Sequence, residues 1–513
     1  MVLNIGLTVQ NQLKPTQENI NLKTAKRIHF LGAEGIGMQA LIAILEEKQA
    51  KGELDKNFSI GKSDLSYLKK SYTEKTKIDS RLLSETDFVV RSTAIKENDP
   101  DYKFFAEKNI PIIHRSEMLN LASEPARQIV ISGTHGKTST SALTAHLLLE
   151  LDLDLEPGFA IGGILKQYSG NAKAAPDSPE AIFVMEGDES DKSFMRSKPY
   201  IAVVTDVEAD HLENYPGGLE EIKNCFYEFL DEAEYKIICT NNQILRDYAK
   251  ANSDNEKLLS YSNSDRDADM FLDLNKNTVS FKDQTEDISL AIPGTFNLLN
   301  SCAALLSAYI IKESQANNFD LKKAINKLQS FHGTKRRFEL INGKYEVKSK
   351  EHGDYQIKIY DDYAHHPSEV QALLDSVRTM INKNEKALFI YQPHHPERTQ
   401  QFWTEFKNTF KKFPENIHVF IPDIYVARSQ HIDGVNSAKL VEEINLEHIK
   451  YLDPALNLTA NEASKADIQG NFHDTTSTLK PIIEAELKQD KYKYLFIVGA
   501  GNIGKVAESF TIC

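Results

Sequence analysis

The chain has few cysteines for its length. Four cysteines occur among 513 residues, and none stands in C-x-x-C spacing. Disulfide frameworks and zinc sites need closely spaced cysteines, so the sequence predicts neither. This cysteine usage fits a reducing compartment, and we expect a cytoplasmic location.

Long apolar runs and an excess of positive charge are also missing. No apolar stretch approaches the roughly 18 residues of a membrane helix, so no membrane partner is expected. Residues 1–25 lack the basic start and apolar core of a signal peptide, and we expect a polar tail there. The chain has 60 basic and 74 acidic residues, a net charge of −14. Nucleic-acid affinity depends on basic residues at phosphates, so no nucleic-acid partner is expected.

What the chain does contain is short β-branched runs that alternate with helical patterns. This alternation predicts an α/β fold with parallel sheets. The length suggests about three domains, which we place at residues 26–125, 126–334 and 335–513. The predicted strands are Arg27–Leu31, Phe88–Ser92, Gln128–Ser132, Ile182–Met185, Ile201–Thr205, Ala387–Tyr391, His418–Ile421 and Tyr494–Val498. Helices are predicted at Thr138–Glu150 and Asn300–Ser314.

Two of the predicted strands run into glycine turns of weak specificity. GAGNIG, ending at Gly504, has G-x-G-x-x-G spacing, but nine residues follow it, too few for a dinucleotide-binding unit. We interpret it as a structural turn and keep a dinucleotide-dependent oxidoreductase as an alternative. GAEGIG could hold a diphosphate ahead of a helix starting at Met38, with Glu34 pointing outward and Asp64 on a ribose or base. Its candidate ligand residues are Gly32, Gly35, Gly37, Met38 and Asp64.

A third turn, GTHGKT, carries more chemistry. It is two residues shorter than the usual G-x-x-x-x-G-K-[ST] phosphate loop. Lys137 can supply a positive charge to phosphates, and the Thr138 hydroxyl can bind Mg²⁺. Unpaired amides of the first helical turn can hold phosphate oxygens. The predicted phosphate-binding residues are Gly133, Thr134, His135, Gly136, Lys137, Thr138 and Ser139.

Candidate metal ligands follow the next two predicted strands. EGDESD begins at Glu186, and DVEADH ends at His211. Because the carboxyl ends of parallel strands are where α/β proteins bind ligands, Glu186 and His211 could meet a second Mg²⁺, while Thr138 meets the first. A solvated acidic loop and a structural histidine are the alternatives, since Mg²⁺ prefers oxygen ligands.

Taken together, these motifs resemble a known family. GTHGKT, EGDESD, TDVEADH, PGTFNLLNSCAA, RRFE and DDYAHHPSEV are similar in order and spacing to the ATP-dependent Mur ligases, over positions 26 to 510. The resemblance implies a Rossmann-like N-terminal domain, a central P-loop ATPase-type domain with a mostly parallel sheet, and a Rossmann-like C-terminal domain. GIGM, IPIIHRSEML, DYAHHP, YQPHHPERT and PDIYVAR further imply ligation of L-alanine to UDP-N-acetylmuramate through an acyl phosphate, in peptidoglycan synthesis.

The resemblance also implies roles for individual residues. ATP and Mg²⁺ would be held by Lys137, Thr138, Glu186 and His211, with Lys137, Glu186 and His211 as the catalytic set. Adenine or nucleotide contacts are implied for Asn297, Arg337 and Asp362. Sugar-acid or amino-acid contacts are implied for Ser92, His114, Arg115, His365, His394 and Arg398. The base that accepts the amine proton stays open among His211, His365 and His394.

Three residues depart from the family pattern. Glu34 and His395 stand where glycine and arginine are usual, and Phe296 replaces a usual histidine beside Asn297. These departures leave a non-catalytic UDP-sugar-binding protein as an alternative. A recycling ligase that attaches a whole peptide to UDP-N-acetylmuramate is another. The expected assembly is a monomer or a homodimer.

Overall fold

The computed structural model describes residues 20–63, 86–316, 318–341, 345–426, 431–453 and 475–510. Asp64, predicted to contact a ribose or base, lies outside these residues. Within them the chain forms two compact units. The first falls within positions 1–164, 168–287 and 300–328, and the second within 165–167, 288–299 and 329–513. The domain boundaries near residues 125 and 334 stay predictions.

The first unit opens with a small parallel sheet. Its strands, in the order β2-β1-β3-β4, are β1 (Arg27–Leu31), β2 (Ser59–Ser63), β3 (Phe88–Arg91) and β4 (Ile112–His114). The connecting helices are α1 (Ile36–Ala50), α2 (Pro100–Glu107) and α3 (Arg115–Ser123). The side chain of Asp99 accepts from the amide of Asp101, and Pro100 occupies the first turn, which together start α2.

A larger sheet of ten strands follows in the first unit, in the order β14-β13-β12-β11-β10-β9-β5-β8-β6-β7. Along this order, each neighbouring pair from β12 to β6 is parallel. The pairs β12–β13 and β13–β14 are antiparallel. The strands are β5 (Arg127–Ser132), β6 (Gly158–Leu165), β7 (Gly170–Lys173), β8 (Ile182–Glu186), β9 (Pro199–Val204), β10 (Tyr235–Cys239), β11 (Leu258–Ser262), β12 (Met270–Asp273), β13 (Thr278–Phe281) and β14 (Gln284–Asp287). The helices in this part of the chain are α4 (Lys137–Glu150), α5 (Gly218–Glu232), α6 (Gln243–Ala251), α7 (Thr295–Ser314) and α8 (Leu321–Leu328).

The second unit is built on a sheet in the order β15-β17-β21-β18-β19-β20, with β16 paired to β17. The strands from β17 to β20 along this order are parallel, and β15 and β16 are antiparallel to β17. The strands are β15 (Glu339–Leu340), β16 (Tyr345–Val347), β17 (Tyr355–Asp362), β18 (Ala387–Tyr391), β19 (Ile417–Ile421), β20 (Ile449–Tyr451) and β21 (Tyr494–Val498). The helices are α9 (Pro367–Met380), α10 (Pro396–Gln401), α11 (Trp403–Phe410), α12 (Ser437–Ile444), α13 (Thr475–Gln489) and α14 (Ile503–Glu508).

Both faces of the sheet in the second unit are covered by apolar side chains. Ala387, Phe389 and Tyr391 of β18 belong to one core cluster, while Leu388 and Ile390 belong to another. Successive side chains of a strand point to opposite faces, so each cluster covers one face of the sheet. A parallel sheet buried on both sides is the doubly wound arrangement, and the predicted α/β fold class is confirmed.

Three helices begin earlier than predicted, and the one predicted from Thr138 does so by a single residue, at Lys137. The helix expected from Asn300 begins at Thr295, directly after Gly294, whose φ is +102°. The helix expected from Met38 begins at Ile36, because the amides of Met38 and Gln39 both donate to the Gly35 carbonyl. Among the described residues, no helix combines the length and apolarity needed to cross a lipid bilayer.

The GAGNIG turn after β21 is filled by the protein's own side chains. Nη2 of Arg336 donates to the Gly499 carbonyl at 2.5 Å. A Cβ placed at Gly504 would lie 2.6 Å from Nε of Arg336, and one at Gly501 would lie 2.7 Å from the Tyr425 ring. These glycines therefore allow close packing, which fits a structural turn and removes the main support for a dinucleotide site.

Candidate functional site

The GTHGKT loop (residues 133–138) links β5 to α4 through two glycines with positive φ. Gly133 has φ of +133°, and a Cβ there would lie 2.3 Å from Oγ1 of Thr205. Gly136, with φ of +83°, is the residue before α4. Only glycine adopts these conformations readily, so the two glycines set the path of the loop.

The segment after β9 holds the GTHGKT loop in place. Thr205 donates through Oγ1 to the His135 carbonyl at 2.5 Å. The Thr134 amide donates to the Asp206 carbonyl at 3.0 Å, and Thr134 Oγ1 accepts from the Glu208 amide at 2.8 Å. His135 also lies 3.3 Å from the Glu208 carboxylate. These contacts hold the loop at the carboxyl end of β5, where a ligand of a parallel sheet is expected.

Lys137 is surrounded by oxygen atoms. Its Nζ donates to the carbonyls of Gly133 and Thr134, at 2.7 and 3.0 Å, and forms an ion pair with Oε2 of Glu189 at 2.6 Å. Burial alone would lower the pKa of Lys137, but the Glu189 carboxylate, with Glu186 and Asp188 nearby, holds that pKa above its ordinary value. Lys137 is therefore a fixed positive charge at the start of α4.

Thr138 and Glu186 meet across neighbouring strands. Thr138 Oγ1 donates to Oε1 of Glu186 at 3.1 Å, and Oε2 of Glu186 accepts from the Gly162 amide at 2.9 Å. Because Gly162 has no side chain, its backbone can approach the carboxylate. The hydroxyl and carboxylate offer two oxygen ligands of the kind that Mg²⁺ prefers. Ser139 follows Thr138 in the first turn of α4 and is buried.

The acidic loop (residues 186–191) also binds residues of the first sheet. Asp188 accepts from Nη2 of Arg115 at 2.5 Å, and Asp191 accepts from Oγ1 of Thr93 at 2.5 Å. Burial is the largest single influence on Asp188 and acts to raise its pKa. The nearby Arg115 guanidinium acts in the opposite direction, and the pKa of Asp188 lies below its ordinary value. The loop thus joins the GTHGKT loop to residues predicted for the sugar side.

His114 is occupied by contacts within the protein. The Ser116 amide donates to its Nδ1 at 3.3 Å, which makes His114 the cap of α3. With Nδ1 as acceptor, Nε2 carries the proton and donates to Thr93 Oγ1 at 3.0 Å. Burial lowers the pKa of His114 to about 3. The neutral ring orients Thr93 towards Asp191, a positioning role beside its predicted sugar contact.

The first glycine turn approaches two residues that the sequence also assigned to the sugar side. A Cβ at Gly32 would lie 2.6 Å from Oγ of Ser92, and a Cβ at Gly37 would lie 3.2 Å from Nη1 of Arg115. Glu34 and Gly35 are exposed, so the Glu34 side chain lies at the surface. Met38, in contrast, is buried, and its amide donates a hydrogen bond to the Gly35 carbonyl.

His211 lies at the end of the segment that follows β9. It has a left-handed backbone, with φ of +53°, and its amide donates to Oδ1 of Asp210 at 2.8 Å. Its ring nitrogens lie 3.5 to 3.6 Å from the carboxylates of Glu213 and Asp210. The next turn contacts the acidic loop, since Asn214 donates to the Ser190 carbonyl at 2.7 Å. A contact between His211 and Glu186 is not among these, so their shared metal site stays a prediction.

In the second unit, Asp362 is the last residue of β17, and its carboxylate binds two backbone amides. Its carboxylate accepts from the amides of Phe338 and Ala364, at 2.6 and 2.7 Å. Burial raises the pKa of Asp362 to about 6, while the positive charge of Arg337 opposes that rise. The Arg337 guanidinium lies over the Tyr363 ring at 5.1 Å. Arg337 and Asp362, predicted for the nucleotide, are therefore electrostatic neighbours.

Asn297 and Phe296 begin α7. Nδ2 of Asn297 donates to the Pro293 carbonyl at 2.6 Å, and the side chain is buried. Phe296 stacks near Phe338, with ring centroids 6.4 Å apart, and packs against the core of the second unit. The departure at position 296 therefore contributes apolar packing here.

Three residues predicted for the sugar-acid or amino acid come together at the ends of β17 and β18. The rings of His365 and His394 lie 6.0 Å apart, and His394 stacks on Tyr425. Burial lowers the pKa of His365 to about 4, and the nearby Arg398 guanidinium adds to this effect. His395 has φ of +67° at the start of α10. The cluster combines neutral imidazoles with one guanidinium.

The contacts of His365 define its tautomer. Nδ1 lies 3.0 Å from the Tyr363 carbonyl and 3.2 Å from the Glu369 carboxylate, both of which only accept hydrogen bonds. Nδ1 therefore carries the proton, and in the neutral ring Nε2 bears the lone pair. A neutral imidazole with this tautomer can accept a proton at Nε2.

Several residues of the site were not singled out from the sequence. Glu189 lies inside EGDESD, whose acidic run was a signal, but its spacing did not tell which carboxylate meets Lys137. Thr93, Gly162 and Thr205 carry no local pattern that marks them. Their contacts depend on strands that are neighbours in the sheet and distant in the chain.

Comparison with known proteins assigns the two larger parts of the chain to one family. Residues 131–308 match the Mur ligase middle domain, and residues 336–469 match the Mur ligase glutamate ligase domain. The matched ranges contain the GTHGKT loop, the acidic loop and the His365 cluster.

Curated relatives extend the similarity over most of the chain. A UDP-N-acetylmuramate–L-alanine ligase of Fusobacterium nucleatum is 30% identical over 444 residues, covering 84% of this chain and 90% of that protein. A protein of the same name from Paenarthrobacter aurescens is 32% identical over 460 residues, covering 87% and 94%.

Solved structures share the fold. UDP-N-acetylmuramate-alanine ligase from Thermotoga maritima superposes with a TM-score of 0.64 at 20% identity, covering 94% of this chain and 98% of the other. A murein peptide ligase from Psychrobacter arcticus gives a TM-score of 0.57 at 19% identity, with the same coverage.

Proposed function

Because the chain belongs to the Mur ligase family, we propose that it uses ATP to join L-alanine to the carboxylate of UDP-N-acetylmuramate, in peptidoglycan precursor synthesis. One observation carries the ATP part of this proposal. Lys137 and Thr138, the first two residues of α4, each contact a carboxylate of the acidic loop. An ammonium and a hydroxyl at a helix N-terminus beside two carboxylates suit a magnesium-bound triphosphate. The names of the curated relatives support the choice of L-alanine.

The reaction needs activation, because joining an amine to a carboxylate in water is unfavourable. The sugar-acid carboxylate attacks the γ-phosphate of ATP, which gives an acyl phosphate and ADP. The amine of L-alanine then attacks the acyl carbon, and phosphate leaves. Catalysis of the first step is mostly charge neutralisation and alignment, which Lys137 supplies without a covalent enzyme intermediate.

Mg²⁺ fits the oxygen donors of Thr138 and Glu186, and we assign both residues to it. His211 is the third proposed ligand, although imidazole nitrogen is a less typical partner of this ion. When bound, Mg²⁺ neutralises and orients the phosphates. Gly162 donates its amide to Glu186 and so keeps one carboxylate oxygen turned towards Thr138.

Residues of the second unit take the remaining roles. Asn297, Arg337 and Asp362 are proposed for the nucleotide, and His394 and Arg398 for the acidic groups of the substrates. We assign the base that accepts the amine proton to His365, because its Nδ1 contacts leave Nε2 as the acceptor.

On the sugar side, Ser92 and Arg115 lie against the glycines of the first turn, where a diphosphate would bind.

A phosphate-release assay with UDP-N-acetylmuramate, ATP, Mg²⁺ and a panel of amino acids tests this function. We expect release with L-alanine and weaker release with glycine or L-serine. Release that needs a tripeptide in place of free L-alanine would identify a recycling ligase. Absence of release with every acceptor would leave a binding protein. We further propose a cytoplasmic location. The proposed assembly is a monomer or a homodimer, and light scattering of the purified protein decides between these two states.

A further inference from the structure

Three oxygen atoms of the protein surround the Lys137 ammonium nitrogen, two as hydrogen-bond acceptors and one as an ion-pair partner. Nζ lies 2.7 Å from the Gly133 carbonyl, 3.0 Å from the Thr134 carbonyl and 2.6 Å from Oε2 of Glu189. A lysine ammonium has three N–H groups and no further donor. The loop carbonyls use two of these N–H groups, so a phosphate oxygen that pairs with Lys137 competes with the Glu189 carboxylate for the same ammonium.

The three oxygens differ in their freedom to leave. The two carbonyls belong to the GTHGKT loop, which is held through the Thr134 amide and the Asp206 carbonyl. Glu189 contributes a side chain, which can rotate while its backbone stays. The Glu189 carbonyl accepts from the Tyr215 hydroxyl at 2.5 Å, and this bond anchors the acidic loop at the same residue.

We propose that Glu189 is an internal counter-ion of Lys137, which occupies the lysine until the β- and γ-phosphates of the nucleotide replace it. This inference rests on the proposed function, because it takes ATP as the nucleotide. The exchange substitutes one anion for another on the same ammonium. Glu189 thus keeps Lys137 charged and directed into the GTHGKT loop, and it lowers the affinity of that loop for phosphates.

The exchange predicts that removing the Glu189 carboxylate strengthens nucleotide binding instead of weakening it. In Glu189→Gln, Lys137 is left in a buried position without its counter-ion until a phosphate arrives. Nucleotide binding then restores a charge pair instead of exchanging one, so affinity for a phosphate that reaches Lys137 should rise. A purely structural role for Glu189 predicts the opposite, because a damaged loop binds every nucleotide less tightly.

Calorimetric titration of the full chain with ADP and with AMP, both in EDTA, tests the proposal. EDTA removes any contribution of metal ions, and AMP lacks the β-phosphate that would reach Lys137. The matched control is Glu53→Gln, which removes the carboxylate of the Lys48–Glu53 ion pair, 2.9 Å long and similarly buried, in the first sheet. We expect Glu189→Gln to bind ADP about tenfold more tightly than the unaltered protein. AMP affinity should stay unchanged, and Glu53→Gln should match the unaltered protein with both nucleotides.

Equal or weaker ADP binding by Glu189→Gln would overturn the proposal. If that variant does not fold, Glu189→Asp decides, because it keeps the charge and moves it away from Lys137 by one methylene. Tighter ADP binding by Glu189→Asp supports the exchange, and unchanged or weaker binding contradicts it. Failure of the unaltered protein to bind ADP with or without Mg²⁺ would instead count against the proposed function.

Discussion

Thr138 Oγ1 lies 3.1 Å from Oε1 of Glu186, although the two residues are 48 positions apart in the chain. The sheet explains the contact. β5 and β8 are parallel neighbours, and their register pairs Ile131 with Glu186. The loop that leaves β5 therefore turns into α4 directly beside the carboxylate that ends β8, and a hydroxyl and a carboxylate meet at the edge of the sheet where ligands bind.

Lys137→Met should abolish phosphate release, with a loss of about 10³-fold or more, because the charge that neutralises the transferring phosphate is gone. It should also destabilise the protein by roughly 3 kcal/mol, since Glu189 is left as a buried, unpaired carboxylate. The double variant Lys137→Met with Glu189→Gln should recover stability and stay inactive. Urea unfolding and the phosphate-release assay measure the two effects, and an active single variant would contradict the role of Lys137.

Gly133→Ala should remove activity by displacing the GTHGKT loop. The added Cβ would lie 2.3 Å from Oγ1 of Thr205, at a φ of +133°. Gly52→Ala is the matched control, because Gly52 has φ of +76° and open space where the Cβ would point. We expect the control to lose about 1 kcal/mol of stability and keep its activity. Thermal unfolding and turnover then separate the two effects, because Gly52→Ala adds backbone strain alone and Gly133→Ala adds backbone strain together with a steric clash. Equal effects of the two substitutions would contradict the role of the clash with Thr205.

His365→Gln should lower kcat by about 100-fold at saturating substrates, because the amine loses the base assigned to it. The pKa of His365 is about 4, so the imidazole is neutral above that pH and becomes protonated as the pH falls through it. The rate of the unaltered protein should therefore lack an imidazole transition near pH 6.5. His418→Asn is the control, since His418 contacts Tyr492 elsewhere in the same unit. Normal turnover by His365→Gln would transfer the base role to another residue.

His114 should make stability depend on acid. Its pKa is lowered from 6.5 to about 3 by burial, so below pH 6.5 the unfolded chain takes up a proton that the folded protein does not. Stability is lost as the pH falls, by about 2 kcal/mol between pH 7 and pH 5 from this residue. His114→Asn keeps a helix cap without the titration. Urea unfolding at both pH values should show a drop about 2 kcal/mol smaller in the variant; equal drops would contradict the prediction.

Eight of the strands were predicted from the sequence because each is a short apolar run rich in strand-forming residues, and several run directly into a glycine or acidic turn. β1, β18 and β21 have the predicted bounds, and the other predicted strands agree within two residues. The sequence could not predict which carboxylate of the acidic loop meets which partner. Glu189 with Lys137 and Asp188 with Arg115 are set by strand order and by packing of the first sheet on the second. Phe296 shows the same limit, since its neighbour Phe338 lies 42 positions away in sequence numbering.

The close approach of Gly162 to Glu186 gives an experimental test of the proposed metal site. A methyl group at position 162 would lie 2.7 Å from one carboxylate oxygen and 2.9 Å from the other, so it must push the carboxylate aside. Gly162 has no positive φ, and the backbone itself tolerates alanine. If Glu186 binds Mg²⁺ as proposed, one added carbon atom should weaken the binding of the ion while every proposed ligand stays in the chain, which separates the presence of the donors from their alignment.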